Sequence, residues 1–188
     1  MADATSSFHD EATEILAEQV EAIALISDAA VEDLLVAIGQ ATRIFILGEG
    51  RSGLAGRFFA MRLMHLGKQA FVVGETITPS IGGGDLLIAI SGSGETGAVV
   101  MMAESARKAS ATIAAITANP ESRLAALADL IVHIPTQHKL QGSSSRQYGG
   151  SLFEQVALLL FETMVSMLAA GDAATGFASL AKRHANLE

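Results

Sequence analysis

Ile44-Phe45-Ile46-Leu47 runs straight into Gly48-Glu49-Gly50-Arg51-Ser52-Gly53, and Leu86-Leu87-Ile88-Ala89-Ile90 runs into Ser91-Gly92-Ser93-Gly94-Glu95-Thr96. Each pair is a short apolar run, then a glycine-rich loop, then the start of a helical pattern. Three more apolar runs recur downstream of the first, at Ala70–Val73, Thr112–Ile116 and Leu130–Ile134. None alternates polar with apolar residues, which is how strands covered on both faces read. Strands separated by helices require parallel crossovers, so the chain predicts an α/β domain with a five-stranded parallel sheet flanked by helices, a three-layer αβα fold of flavodoxin-like type. If the strand order is 2-1-3-4-5, the two loops flank the topological switch point, where open α/β sheets bind ligands.

Around these runs the pattern is helical. Ala12–Ile38 reads as one long or two shorter helices, with Ile15, Gln19, Ala22 and Ile26 on one face and Leu16, Val20 and Ile23 beside it. That apolar arc is wide enough for a partner surface as well as a core. A second long helix spans Gly149–Ala170, and between Pro135 and Tyr148 lies a polar stretch containing Lys139 and Arg146, which read as solvated. The 188 residues fit one domain: 1–40 as N-terminal helices, 41–170 as the sheet core and 171–188 as a C-terminal helix.

Composition excludes several classes. A hydrophobic share of 50%, a charged share of 17% and a mean hydropathy of +0.41 exclude a disordered chain. A net charge of −8 gives no basic footprint for nucleic acid or an anionic membrane. Cysteine is absent, which excludes disulfides, thiolate metal sites and a thiol nucleophile. The five histidines have no tight metal-ligand spacing, so no metal is expected. Met1–Asp10 lacks the basic start of a secretory signal, and strictly apolar runs are short. The expectation is a soluble, cytoplasmic protein.

Both loops suit an anion. Glycine lets the backbone approach a ligand closely, and the N–H groups and dipole of the following helix favour negative charge. Ser52, Ser91, Ser93 and Thr96 add hydroxyl donors, and Gly50 and Gly94 allow close approach, so this set is assigned to a phosphate ester. Arg51 is placed to balance its charge, and Glu75 and Thr76, near the end of the second apolar run, could meet substrate hydroxyls. A dinucleotide site is the rival: Gly48, Gly50 and Gly53 match G-x-G-x-x-G, with Glu75 where a ribose-binding acid would stand. That pattern leaves the Ser/Thr loop unused. Serine or threonine before a helix can also be only an N-cap.

At these loops the sequence resembles the sugar isomerase (SIS) domain family, and within it the 6-phospho-3-hexuloisomerases. The resemblance rests on GEGRSG (48–53), FAMRLMHLG (59–67), VVGETITP (72–79), DLLIAISGSGET (85–96), SLFE (151–154) and RHANLE (183–188). It departs from the family at Gln147-Tyr148-Gly149-Gly150, where a proline-containing lead is expected. It implies a cofactor-free isomerase, assembled as a homotetramer, that interconverts D-arabino-3-hexulose 6-phosphate and D-fructose 6-phosphate in the ribulose monophosphate route of formaldehyde assimilation. Another aldose–ketose isomerase, or a non-catalytic sugar-phosphate-binding module, is the alternative.

Moving a ketone from C3 to C2 needs a base to take the C2 proton, an enediol or enediolate, and a grip on the phosphate. The resemblance makes Glu154 the base, although Ser151–Glu154 also fits an S-x-x-E capping box. It makes His65 the second catalytic candidate, for ring opening or proton shuttling. Twelve residues separate His65 from Gly53, about 18 Å along a helix, so His65 would serve a neighbouring subunit's site.

Overall fold

The computed structural model describes residues 7–136, 145, 147–170 and 182–186. The expected Lys139 and Arg146 loop positions and most of the expected C-terminal helix, 171–188, lie outside them. Two helices open the chain, α1 (Phe8–Ala24) and α2 (Asp28–Gln40). They are separate because Ser27 interrupts the helical register and caps α2, its hydroxyl accepting from the Ala30 amide. The remainder is β1 (Ile44–Gly48), α3 (Gly50–His65), β2 (Ala70–Val72), β3 (Leu86–Ile90), α4 (Gly97–Lys108), β4 (Thr112–Thr117), α5 (Arg123–Leu127), β5 (Leu130–His133) and α6 (Ser151–Ala170); strands and helices alternate except between β2 and β3, where turns and coil replace the expected helix.

All five strands are parallel, in the order β2-β1-β3-β4-β5. In the centre every residue of Leu86–Ile90 is buried, which is why that stretch carries no polar alternation. The period-2 geometry of strands then divides the side chains between two cores. Ile44, Ile46, Leu86, Ile88, Ile90, Ala114 and Ile116 face α2, α3 and α6; Phe45, Leu47, Leu87, Ala89, Ile113 and Ala115 face α4 and α5. Phe59 of α3 stacks on Phe161 of α6 with ring centroids 4.5 Å apart.

Helix α6 is long and apolar enough, by length and composition, to cross a membrane. Here Phe153, Val156, Ala157, Leu160, Phe161 and Met164 are instead buried in the core shared with α3 and the sheet. At the opposite, amino-terminal edge of the strands, Arg43 clamps Asp85 with hydrogen bonds of 3.0 and 2.6 Å. Asp85 also accepts from the Gly82 amide, fixing the turn that leads into β3.

Candidate active site

Strands β1 and β3 are neighbours, and α3 leaves toward one face of the sheet while α4 leaves toward the other. Their loops therefore border a cleft of about 360 Å³ at the carboxyl edge of the sheet. Gly50, Arg51 and Ser52 line it from the β1 side, and Ser91, Ser93 and Thr96 from the β3 side. Neither helix spends a side chain on its own start: Glu49 before α3 and Thr96 before α4 make no side-chain capping bond. Thr96 instead shares a hydrogen bond of 3.0 Å with Ser91, whose hydroxyl also receives the Gly94 amide at 3.2 Å. The first-turn amides of both helices thus remain for a ligand, with the positive ends of two dipoles behind them.

Gly94 is required for a different reason from close approach to a ligand. Its φ is +65°, and a Cβ there would stand 1.9 Å from Ser122 Oγ. Ser122 is the buried N-cap of α5, so the loop turns against the start of a third helix. Gly50, with φ +56° and open space around it, does line the cleft.

The facing wall is the start of α6. The lead into it is a 3₁₀ turn, Tyr148–Gly150, in which Gly149 and Gly150 both have positive φ. Two left-handed glycines thus supply the turn where the resemblance expected proline. Phe153 and Glu154 project from the first turn of α6 into the cleft wall, and Glu154 is only 7% exposed. Arg51 joins the two walls: Nη1 donates to Ser151 Oγ at 2.5 Å, and Nε lies 4.0 Å from Glu154 Oε2. Arg51 is the one cation among the described residues lining the cleft, and it is half-exposed.

The SIS domain profile matches residues 37–175, which takes in both loops and α6. The chain belongs to the SIS domain family. Among its relatives, a Mycobacterium gastri protein called 3-hexulose-6-phosphate isomerase is 51% identical over 153 residues, 80% of this chain and 76% of the relative. A Bacillus subtilis protein of the same name is 42% identical over 181 residues, 93% of this chain and 96% of the relative. A Methanococcus jannaschii crystal structure, reported as inferring a molecular function of 3-hexulose-6-phosphate isomerase, superposes with a TM-score of 0.81 at 34% identity. It covers 95% of this chain and 97% of that one.

Within this SIS domain, other sequence-singled residues fall away from the cleft. Glu75 is exposed and ion-paired to Arg57 of α3, and the neighbouring Thr76 is exposed too; neither lines the cleft. His65 ends α3 at the far end from the loop and is 4% exposed. Its ring stacks on His184 at 5.4 Å, and its carbonyl accepts from Arg183 at 3.4 Å. Burial first, then the charges of His184 and Arg62, hold the imidazole below its usual pKa. No group of three or more metal-ligating side chains gathers among the described residues. Two cleft residues had no sequence signal of their own: Ala118 after β4 and Thr136 after β5. A residue just past the carboxyl end of each strand is the positional signal that finds them.

Proposed function

We propose that the chain interconverts D-arabino-3-hexulose 6-phosphate and D-fructose 6-phosphate in the ribulose monophosphate route. The observation that carries the reading is one cleft with uncapped helix starts and hydroxyls on one side and the buried Glu154 carboxylate on the other. The names of the relatives at 51% and 42% identity support the choice of sugar. In this reading the phosphate lies against Ser52, Ser91, Ser93, Thr96 and the amides at the starts of α3 and α4. This fixes the sugar chain so that C2 faces Glu154.

Glu154 takes the C2 proton of the 3-ketose, and the electron pair of the broken C–H bond forms the C2–C3 double bond of an enediolate. The same carboxylic acid returns a proton to C3, and the O2 proton passes to O3, directly or by exchange through solvent, as the C2 carbonyl forms. Arg51, facing the carboxylate across the cleft, offsets the charge that develops on the enediolate oxygen. The scheme asks for no metal or cofactor.

The working form in this proposal is a cytoplasmic homotetramer. Supporting self-association are the exposed apolar side chains Leu16 and Val20 on α1 and Leu54 and Met61 on α3. His65 would then act at the cleft of a neighbouring subunit.

The test is a coupled assay with 3-hexulose 6-phosphate formed in situ from formaldehyde and ribulose 5-phosphate. Glu154→Gln is expected to abolish turnover while retaining fructose 6-phosphate binding, and full activity in that variant would remove the base. Mixing His65→Ala with Glu154→Gln subunits restores partial activity if sites are shared between chains; no recovery would confine catalysis to single chains.

A further inference from the structure

Thr136 follows β5 by three residues, held by a tight turn in which its amide donates to the Ile134 carbonyl at 2.7 Å. It lies on the cleft wall on the β4–β5 side, remote in sequence from both anion-binding loops. The residue is 9% exposed, and its hydroxyl oxygen is enclosed without a hydrogen-bond partner. Buried hydroxyls almost always find a partner, and one held in a ligand cleft without one is a candidate for a ligand contact.

Thr136 also borders a second cavity, of about 390 Å³, which runs beneath α1 and is lined by Glu14, Glu18 and Glu21. Glu18 there accepts from Ser145 and Gln147. The lining is therefore uneven. Helix N-termini, hydroxyls and Arg51 come from the β1 and β3 loops, whereas Thr136 is a neutral hydroxyl that also borders the cavity lined by Glu14, Glu18 and Glu21. An uncharged sugar hydroxyl can meet a threonine hydroxyl as donor or acceptor, and the nearby carboxylates make that position less favourable for a phosphate dianion.

We propose that Thr136 is a specificity-determining residue that hydrogen-bonds a hydroxyl of the sugar chain once the phosphate is held by the two loops. The assignment rests on the sugar-phosphate reading of the cleft and extends it, by separating the phosphate contacts from a hydroxyl contact. A ligand with phosphate alone does not use Thr136; a hexose phosphate does. Thr136 thereby favours polyhydroxylated phosphate esters over inorganic phosphate.

The experiment is calorimetric titration of the full chain and of Thr136→Val and Thr136→Ser with fructose 6-phosphate and, separately, inorganic phosphate, together with urea unfolding. Valine keeps the shape and removes the hydroxyl. The expected result is fructose 6-phosphate affinity about tenfold weaker in Thr136→Val, the scale of one neutral hydrogen bond. Serine restores it, and phosphate affinity does not change. The urea midpoint of Thr136→Val stays level or rises, because an unsatisfied buried polar group has been removed. Fructose 6-phosphate affinity within twofold of wild type in Thr136→Val, an equal loss for inorganic phosphate, or a lowered midpoint each overturns the proposal. Wild-type protein that does not bind fructose 6-phosphate ends both this proposal and the reading beneath it. Binding that is indifferent to residue 136 ends this one alone. Binding that depends on Thr136 without hexulose turnover leaves the contact standing and ends the isomerase reading.

Discussion

Replacing Gly94 by alanine tests whether the loop after β3 is held in shape by the start of α5. The new Cβ would lie 1.9 Å from Ser122 Oγ and 2.3 Å from Ser122 Cβ, against an ordinary contact near 3.5–4 Å. Ser122 must therefore move by more than an ångström, and it is 2% exposed with no free space to enter. Moving it also breaks the α5 cap, in which its hydroxyl accepts from the Ala125 amide at 3.3 Å. The left-handed φ of +65° adds about 1–2 kcal/mol for a residue with a Cβ, the lost cap about 1, and overpacking about 1–3. Gly94→Ala is thus expected to lose about 4 kcal/mol, or about 8–16 °C in Tm for a chain of this length. Urea unfolding of Gly94→Ala, Ser122→Gly and the double variant measures it. In the double variant both clashing atoms are gone and glycine serves almost as well as an N-cap, so about 2–3 kcal/mol should return, leaving chiefly the backbone cost. An unchanged midpoint in Gly94→Ala, or a double variant no more stable than Gly94→Ala, would refute the reasoning.

The two kinds of residue that precede helices here should separate cleanly. Ser122→Ala is expected to cost about 1 kcal/mol in urea unfolding with fructose 6-phosphate affinity intact, whereas Thr96→Val, whose hydroxyl caps nothing in α4, should cost about half that and weaken the sugar phosphate about tenfold by calorimetry. At the other edge of the sheet, the hydrogen bonds from Arg43, and then that from the Gly82 amide, hold the Asp85 carboxyl below the usual carboxylate range. Its folded-state pKa is depressed, so its contribution is present above the unfolded value of about 3.9 and lost as pH falls through the lower folded value. Asp85→Asn should therefore lose about 3 kcal/mol at pH 7, and the gap to wild type in urea unfolding should narrow as pH is lowered below about 3.9; a gap that does not narrow there would contradict the ion pair as its source.

Much of this architecture can be read from one-dimensional pattern because the sheet is covered on both sides. Leu86–Ile90 and Thr112–Ile116 were legible as strands because each interior position must be apolar, and the helices between them leave only parallel crossovers. The strand order entered the sequence reading only as a condition, 2-1-3-4-5, and the sheet has that order. What escaped is what depends on contacts across long sequence separations. Arg51 reaches Ser151 across 100 residues, and His65 lies beneath His184 across 119, and neither contact leaves a local signature. Glu75 looked like a crevice residue because it follows β2, yet β2 is the short edge strand, and Arg57 on the adjacent helix takes its carboxylate. Thr136 is an ordinary threonine in sequence; only its burial without a partner distinguishes it.

The net charge of −8 sets the physical condition under which such a cleft can hold a phosphate at all. Repulsion from distant carboxylates is screened over about 8 Å at physiological ionic strength, so the long-range field slows encounter more than it weakens a bound anion. In the proposed reading, attraction within the cleft comes from donors that sit inside that distance and are fixed in direction, namely helix-start amides and the Ser91–Thr96 hydroxyl pair. Because these groups are neutral, they can be packed together without the mutual repulsion that clustered lysines would bring. Arg51 is turned toward Ser151 and Glu154, where the proposed mechanism develops its charge, and is thereby spared from the phosphate. In the proposed reading a net-acidic chain can therefore divide the work, with neutral donors for the group that stays dianionic and Arg51, the one cation among the described residues lining the cleft, for the group whose charge changes.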